Sequence, residues 1–207
     1  MQTKNKTTGQ NYRSSIEAAR RAQIITYAIE TIAALGYAQA SLAQIARRAG
    51  ISKSVISYHF TSKDELIEQV VTDTYTSALL FILPKLPTKS TASDQLRAYI
   101  QADVDFIGTH RMQVAALVEI MTNFRTGDGK LRYDVQAEEP ILAGLEAFLR
   151  KGQQDGDFRT FDTRVMAVTM RRAIDALPHL LTAYPDLDLD AYARELVELF
   201  DRATRKG

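Results

Sequence analysis

Four helix-start signals crowd into residues 14–65, and they constrain the fold more than any other feature of the chain. Ser14 with Glu17, Ser41 with Gln44 and Ser62 with Glu65 each place a hydroxyl three residues before a Glu or Gln, the capping-box arrangement. Ser52 adds a fourth hydroxyl at a helix start. Apolar residues at helical spacing follow each signal: Ala22, Ile25, Ala28, Ile29, Ile32 and Leu35; then Leu42, Ile45, Ala46 and Ala49; then Val55, Ile56 and Phe60; then Leu66, Val70 and Ala78. Gly36 and Gly50 sit where the first two helices should stop. The pattern predicts helices over 14–35, 42–49, 52–60 and 62–83.

The remainder reads the same way. Sustained period-2 alternation is missing, so strands are not expected. "PKLPTKSTASD" (84–94) is the clearest break, with two prolines and a cluster of hydroxyls. Helices are expected at about 94–108, 111–124, 139–154, 161–183 and 189–205. Pro178 should kink the fourth of these. The predicted fold is all-α with about nine helices: an N-terminal three-helix domain over 1–61, and a larger helical domain over 62–207.

The formal net charge of +1 conceals an asymmetry. Residues 1–63 carry nine Lys and Arg against Glu17 and Glu30, a net +7, and residues 64–207 carry a net −6. A basic front on an acidic back points to a polyanion as the partner of the front. Cysteine is absent, which excludes disulfides, thiolate nucleophiles and Cys-held zinc, and fits a reducing compartment. The polar opening "MQTKNKTTGQNYRSS" does not read as a secretory leader, and no unbroken apolar run reaches the ~20 residues of a membrane span. The expectation is a cytoplasmic protein with no membrane partner. No GxSxG, HExxH, P-loop or GxGxxG segment occurs, and three scattered histidines offer no base–nucleophile pair, so an enzyme is not expected.

Two short helices joined at Gly50-Ile51-Ser52 make a helix-turn-helix. With Val55, Ile56 and Phe60 turned inward, Lys53, Ser54, Ser57, Tyr58 and His59 face outward. A B-DNA major groove admits one α-helix, and small residues on it let the backbone approach the base edges. Lys53 and Lys63 are placed to neutralise phosphates, and Tyr58 and His59 to donate to them.

The string "IETIAALGYAQASLAQIARRAGISKSVISYHFTSKDELIEQVV" (29–71) resembles the DNA-binding segment of the TetR family of bacterial transcriptional regulators. The resemblance lies in Gly36-Tyr37, Ser41 before Ile45-Ala46, Ala49-Gly50-Ile51-Ser52, Tyr58-His59-Phe60, Ser62-Lys63 and Leu66. It covers roughly residues 16–71; beyond them the likeness is one of helical layout. It implies that Tyr58, His59 and Lys63 contact phosphates, that Lys53, Ser54 and Ser57 lie near the bases, and that Ser41 touches the DNA backbone. Ser57 departs from the aromatic residue often found in the family, which favours water-mediated readout there.

The resemblance also implies a homodimer that binds a double-stranded operator and encloses a small-molecule effector. The helices at 161–183 and 189–205 carry the stripes suited to the dimer: Val165, Val168, Ala173, Ala176 and Leu180, and Leu189, Tyr192, Leu196, Leu199 and Phe200. For the effector, Phe106, Met112, Leu117, Met121, Phe124, Phe148, Met166 and Met170 form an adaptable apolar set, with Asp175 as a polar anchor. Asp175 and His179, four apart, read as a local side-chain pair rather than half of a metal site, and Asp103 and Asp105 as solvated. No metal and no cofactor are expected. Repressor and activator remain open, as do a helix-turn-helix DNA-binding protein without a small-molecule effector and whether residues 1–13 track DNA.

Overall fold

A computed structural model describes residues 5–206, with side chains from Ser15 onward. Among the described residues there are ten α-helices and no strand: α1 (Asn5–Leu35), α2 (Leu42–Ala49), α3 (Lys53–His59), α4 (Lys63–Ile82), α5 (Ala92–Thr109), α6 (Arg111–Asn123), α7 (Glu139–Asp155), α8 (Thr163–Asp175), α9 (Leu177–Ala183) and α10 (Leu189–Thr204). A 3-10 turn, Leu83–Lys85, extends α4.

The all-helical expectation holds, with two corrections. α1 begins at Asn5, so Ser14 stands inside a helix rather than at its start. No proline interrupts 5–35, and a helix once nucleated grows at little cost per residue. The Ser14 side chain and the question of an arm at residues 1–4 lie outside the described residues. The helix expected over 161–183 is two helices: α8 ends at Asp175, and Pro178, which has no N–H to donate, sits in the first turn of α9. The other helices begin and end within a few residues of their signals.

The chain forms two compact units. One comprises the chain to Thr74 together with Ala115–Phe124; the other comprises Tyr75–Val114 and the chain from Arg125 onward. The boundary expected at 61/62 thus falls inside the first unit, which takes in the first part of α4 and most of α6.

In the first unit α1, α2 and α3 pack on one another over Ile24, Ala28, Ile32, Ile45 and Ile56, all fully or nearly fully buried. By length and composition, Lys63–Lys85 would qualify as a membrane span, contrary to the expectation from apolar runs. Its Leu66, Ile67, Val70 and Val71 are buried in the first unit, whereas Leu79, Leu80 and Leu83 are exposed.

In the second unit α5 packs on α10 and α7 on α8 around Leu96, Ile100, Val104, Leu149, Phe158, Met170, Ile174 and Phe200. Gly152 is required there: a Cβ on it would lie 2.3 Å from Cδ2 of the buried Phe158. The unit also buries charge. Arg171 donates to Asp103 (2.6 Å), to the Tyr99 hydroxyl (3.1 Å) and through Nε to Asp175 (2.8 Å). Asp103 is 5% exposed and ion-paired, which corrects its reading as solvated. Burial pushes the Tyr75 and Tyr99 hydroxyls up to about 12.

Candidate nucleic-acid interface

The helix-turn-helix is built by its caps. The Ser41 hydroxyl accepts the Gln44 N–H at 3.2 Å and starts α2. Gly50 ends α2 at φ +65°, where its N–H bonds the Arg47 carbonyl and the Ile51 N–H bonds that of Ala46. This closed turn needs a left-handed residue, which glycine supplies without strain. Ser52 occupies the start of α3, but its hydroxyl lies 2.7 Å from that of Ser54 instead of capping the helix. At the start of α4 the Ser62 hydroxyl accepts the Glu65 N–H at 3.0 Å.

On α3, Ile56 and Phe60 are buried, while Lys53, Ser54, Ser57 and Tyr58 are exposed and His59 is half-buried. Tyr58 is 74% exposed, far more than a core tyrosine, and the His59 ring meets its edge at a centroid distance of 5.0 Å. An exposed row of a lysine, two serines and a phenol on a short helix is held from behind by two apolar anchors. Hydroxyls and an ammonium there can donate to phosphates and base edges.

Arg21, unremarked in the sequence, locks the end of this helix. Its guanidinium donates to the His59 carbonyl, lies 4.1 Å over the Phe60 ring and pairs with Glu65 at 3.5 Å. Glu65 also accepts the N–H and hydroxyl of Thr61, each at 2.7 Å, and these bonds hold its carboxyl below the ordinary range, with Arg21 adding to the effect. The last carbonyls of α3 carry partial negative charge, so a cation placed there is favourable.

Lys63 differs from a freely extended phosphate ligand. Its ammonium donates to the Tyr37 carbonyl at 3.1 Å and lies 4.3 Å from the Tyr37 ring centroid. Burial pulls its pKa down, opposed by the neighbouring Asp64. Glu17, one of two acids in the basic front, accepts a long 3.5 Å bond from the Tyr58 hydroxyl.

The residues expected to line an effector pocket are divided. Met121 and Phe124 belong to the first unit, where Phe124 stacks on Tyr37 at 5.7 Å. Phe106 and Met170 are buried in the core of the second unit, with Phe148 and Met166 packed against it. Asp175 pairs with Arg171 and not with His179, which is exposed beyond the α8–α9 break. A cleft of about 530 Å³ in the second unit is lined by other residues, among them Val135, Leu142, Val168 and Arg172. The interface stripes also divide: Leu196 and Phe200 are core, whereas Val165 (62%) and Leu199 (58%) are exposed.

Residues 24–70 match the family described as bacterial regulatory proteins, tetR family. The DNA-binding segment belongs to the TetR family. Within it α3 spans Lys53–His59 and is followed by the buried Phe60. The HTH-type transcriptional regulator BetI of Escherichia coli (strain K12 / DH10B) is 36% identical over 93 residues, which are 44% of this chain and 47% of that relative. The chain therefore spans about half the length of the curated relatives it matches. Beyond the segment the likeness is one of fold. A TetR-like regulator from Rhodococcus sp. RHA1 superposes with a TM-score of 0.70 at 23% identity, covering 88% of this chain and 93% of its own. The regulator FadR from Bacillus subtilis in complex with stearoyl-CoA superposes with 0.72 at 23% identity, covering 86% and 96%.

Proposed function

We propose that the chain is a ligand-responsive transcriptional repressor that binds a palindromic operator as a homodimer and leaves it when a small-molecule effector binds. The observation that carries this reading is the exposed row Lys53, Ser54, Ser57 and Tyr58 on α3, anchored by buried Ile56 and Phe60 in a front of net charge +7. In this reading Ser41, Tyr58, His59 and Lys63 hold phosphates, while Lys53, Ser54 and Ser57 approach the bases. Two copies of α3 are needed about one DNA turn apart, ~34–36 Å. The exposed Val165 and Leu199, on α8 and α10, are the apolar residues offered to the partner copy.

The effector enters the second unit among Phe106, Phe148, Met166 and Met170. A regulator of the same fold from B. subtilis occurs in complex with stearoyl-CoA, an amphiphile with a long apolar acyl chain, which supports a small molecule as the class of effector. α4 and α6 each contribute residues to both units, and a tilt of α4 on effector binding would change the spacing of the paired α3 helices. A ~100-fold release requires about 2.7 kcal/mol of differential binding.

Footprinting on the DNA flanking the coding region, with and without candidate effectors, tests the reading. A symmetric footprint that fades with effector is expected; an effector that binds tightly and leaves the footprint unchanged overturns the coupling. Protein that prefers no duplex over random fragments overturns the DNA-binding role.

A further inference from the structure

The turn after α1 is closed by a residue from far along the chain. Gly36 adopts φ +77° and donates its N–H to the Ile32 carbonyl at 2.8 Å, the simple left-handed helix ending. That ending, unlike the two-bond form, does not use the next N–H. The next N–H, that of Tyr37, donates to the Glu119 carboxylate at 3.0 Å, across 82 residues. Glu119 lies so close that a Cβ on Gly36 would stand 3.3 Å from its Oε2. Asn123, one turn further along α6, donates to the Glu119 carbonyl at 3.0 Å and to the same Oε2 at 3.4 Å.

Tyr37 carries the constraint onward. Its carbonyl accepts a hydrogen bond from the Lys63 ammonium, its ring lies beneath that ammonium, and the ring also stacks on Phe124. Glu119, Asn123, Phe124, Gly36, Tyr37 and Lys63 all belong to the first compact unit. A lysine has a long stem with much rotamer freedom to lose on binding, and fixing it beforehand lowers that cost. One N–H of the ammonium is spent on Tyr37, and two remain for a phosphate.

We infer that Glu119 is a positioning residue for DNA binding: by holding the Gly36-Tyr37 turn it fixes the Lys63 ammonium at the start of α4. The inference rests on the proposed phosphate contact by Lys63. It makes the DNA-binding unit discontinuous in sequence, because a span of α6 completes it.

The test uses the full chain and a short mixed-sequence DNA duplex, with binding followed across a salt series. Simple electrostatics opposes the inference: deleting an acid from a protein that binds a polyanion should tighten binding. Glu119→Ala is instead expected to weaken binding about 5- to 10-fold and to reduce the salt slope by about one, the change also expected of Lys63→Ala. The double variant should bind no more weakly than Lys63→Ala alone. Glu119→Gln, which keeps an acceptor oxygen, should bind at least as tightly as the native chain. Amide exchange at Tyr37 should be slow in the native chain and in Glu119→Gln and faster in Glu119→Ala, which reads the turn apart from DNA. Tighter binding by Glu119→Ala, losses that multiply in the double variant, or unaltered Tyr37 exchange would overturn the inference. If Lys63→Ala itself left affinity and slope unchanged, the phosphate role would fail with it, and the Tyr37 exchange would still report whether Glu119 holds the turn.

Discussion

Replacing Arg171 with Met removes the more buried of the two arginines that pair with Asp103 and Asp175 and leaves those carboxylates behind. In the native unit the guanidinium bonds Asp103 at 2.6 Å, the Tyr99 hydroxyl at 3.1 Å and Asp175 at 2.8 Å, while Asp103 is only 5% exposed. Removing one partner of such a pair costs about 3–5 kcal/mol, because the other charge stays in a poorly solvated site. With a urea m-value of about 2–3 kcal/mol per molar, the unfolding midpoint should fall by about 1–2 M. Adding Asp103→Leu should recover most of the loss, since an apolar replacement of a whole buried pair is often neutral or stabilising. Urea unfolding followed by far-ultraviolet circular dichroism measures both. A loss under about 1 kcal/mol at neutral pH, the range of exposed pairs, would refute the reasoning.

Glu17→Gln removes a carboxylate beside Tyr58 and should tighten binding to any duplex about two- to threefold; a salt titration by fluorescence anisotropy checks it. Gly152→Ala should destabilise the second unit by about 1–3 kcal/mol or more in urea unfolding, because its Cβ overlaps the Phe158 ring at 2.3 Å. Tyr75 and Tyr99 should titrate near pH 12 in an ultraviolet pH titration. Their folded values lie above the ordinary 10, so their contribution to stability is complete below about pH 10 and is lost as pH rises from there through about 12. Ser57→Ala should alter relative preference among operator variants, whereas equal losses on every variant in a binding competition would place Ser57 away from the bases.

The helix-turn-helix was legible because its determinants are local. Ser41 and Gln44 are three apart, Ile56 and Phe60 four apart, and Gly50 ends α2 through bonds to Ala46 and Arg47. A hydrogen-bonded helix repeats within four residues, so spacing alone carries the information. The same logic located the break at Pro178, although not that it divides one helix into two. Other features lay beyond such reading. Asp103 meets Arg171 across 68 residues, Tyr37 meets Glu119 across 82, and Arg21 reaches the His59 carbonyl across 38. A lone aspartate beside apolar neighbours carries no local mark of the arginine that will neutralise it, so Asp103 read as solvated and Asp175 as a partner of His179. Likewise Met121 and Phe124 share the composition of Met166 and Phe148 yet serve a different unit. Local periodicity decided where the helices are and which side of α3 faces out. The tertiary structure decided which charges are buried together and which unit each helix completes, because those depend on contacts between segments that no short-range spacing encodes.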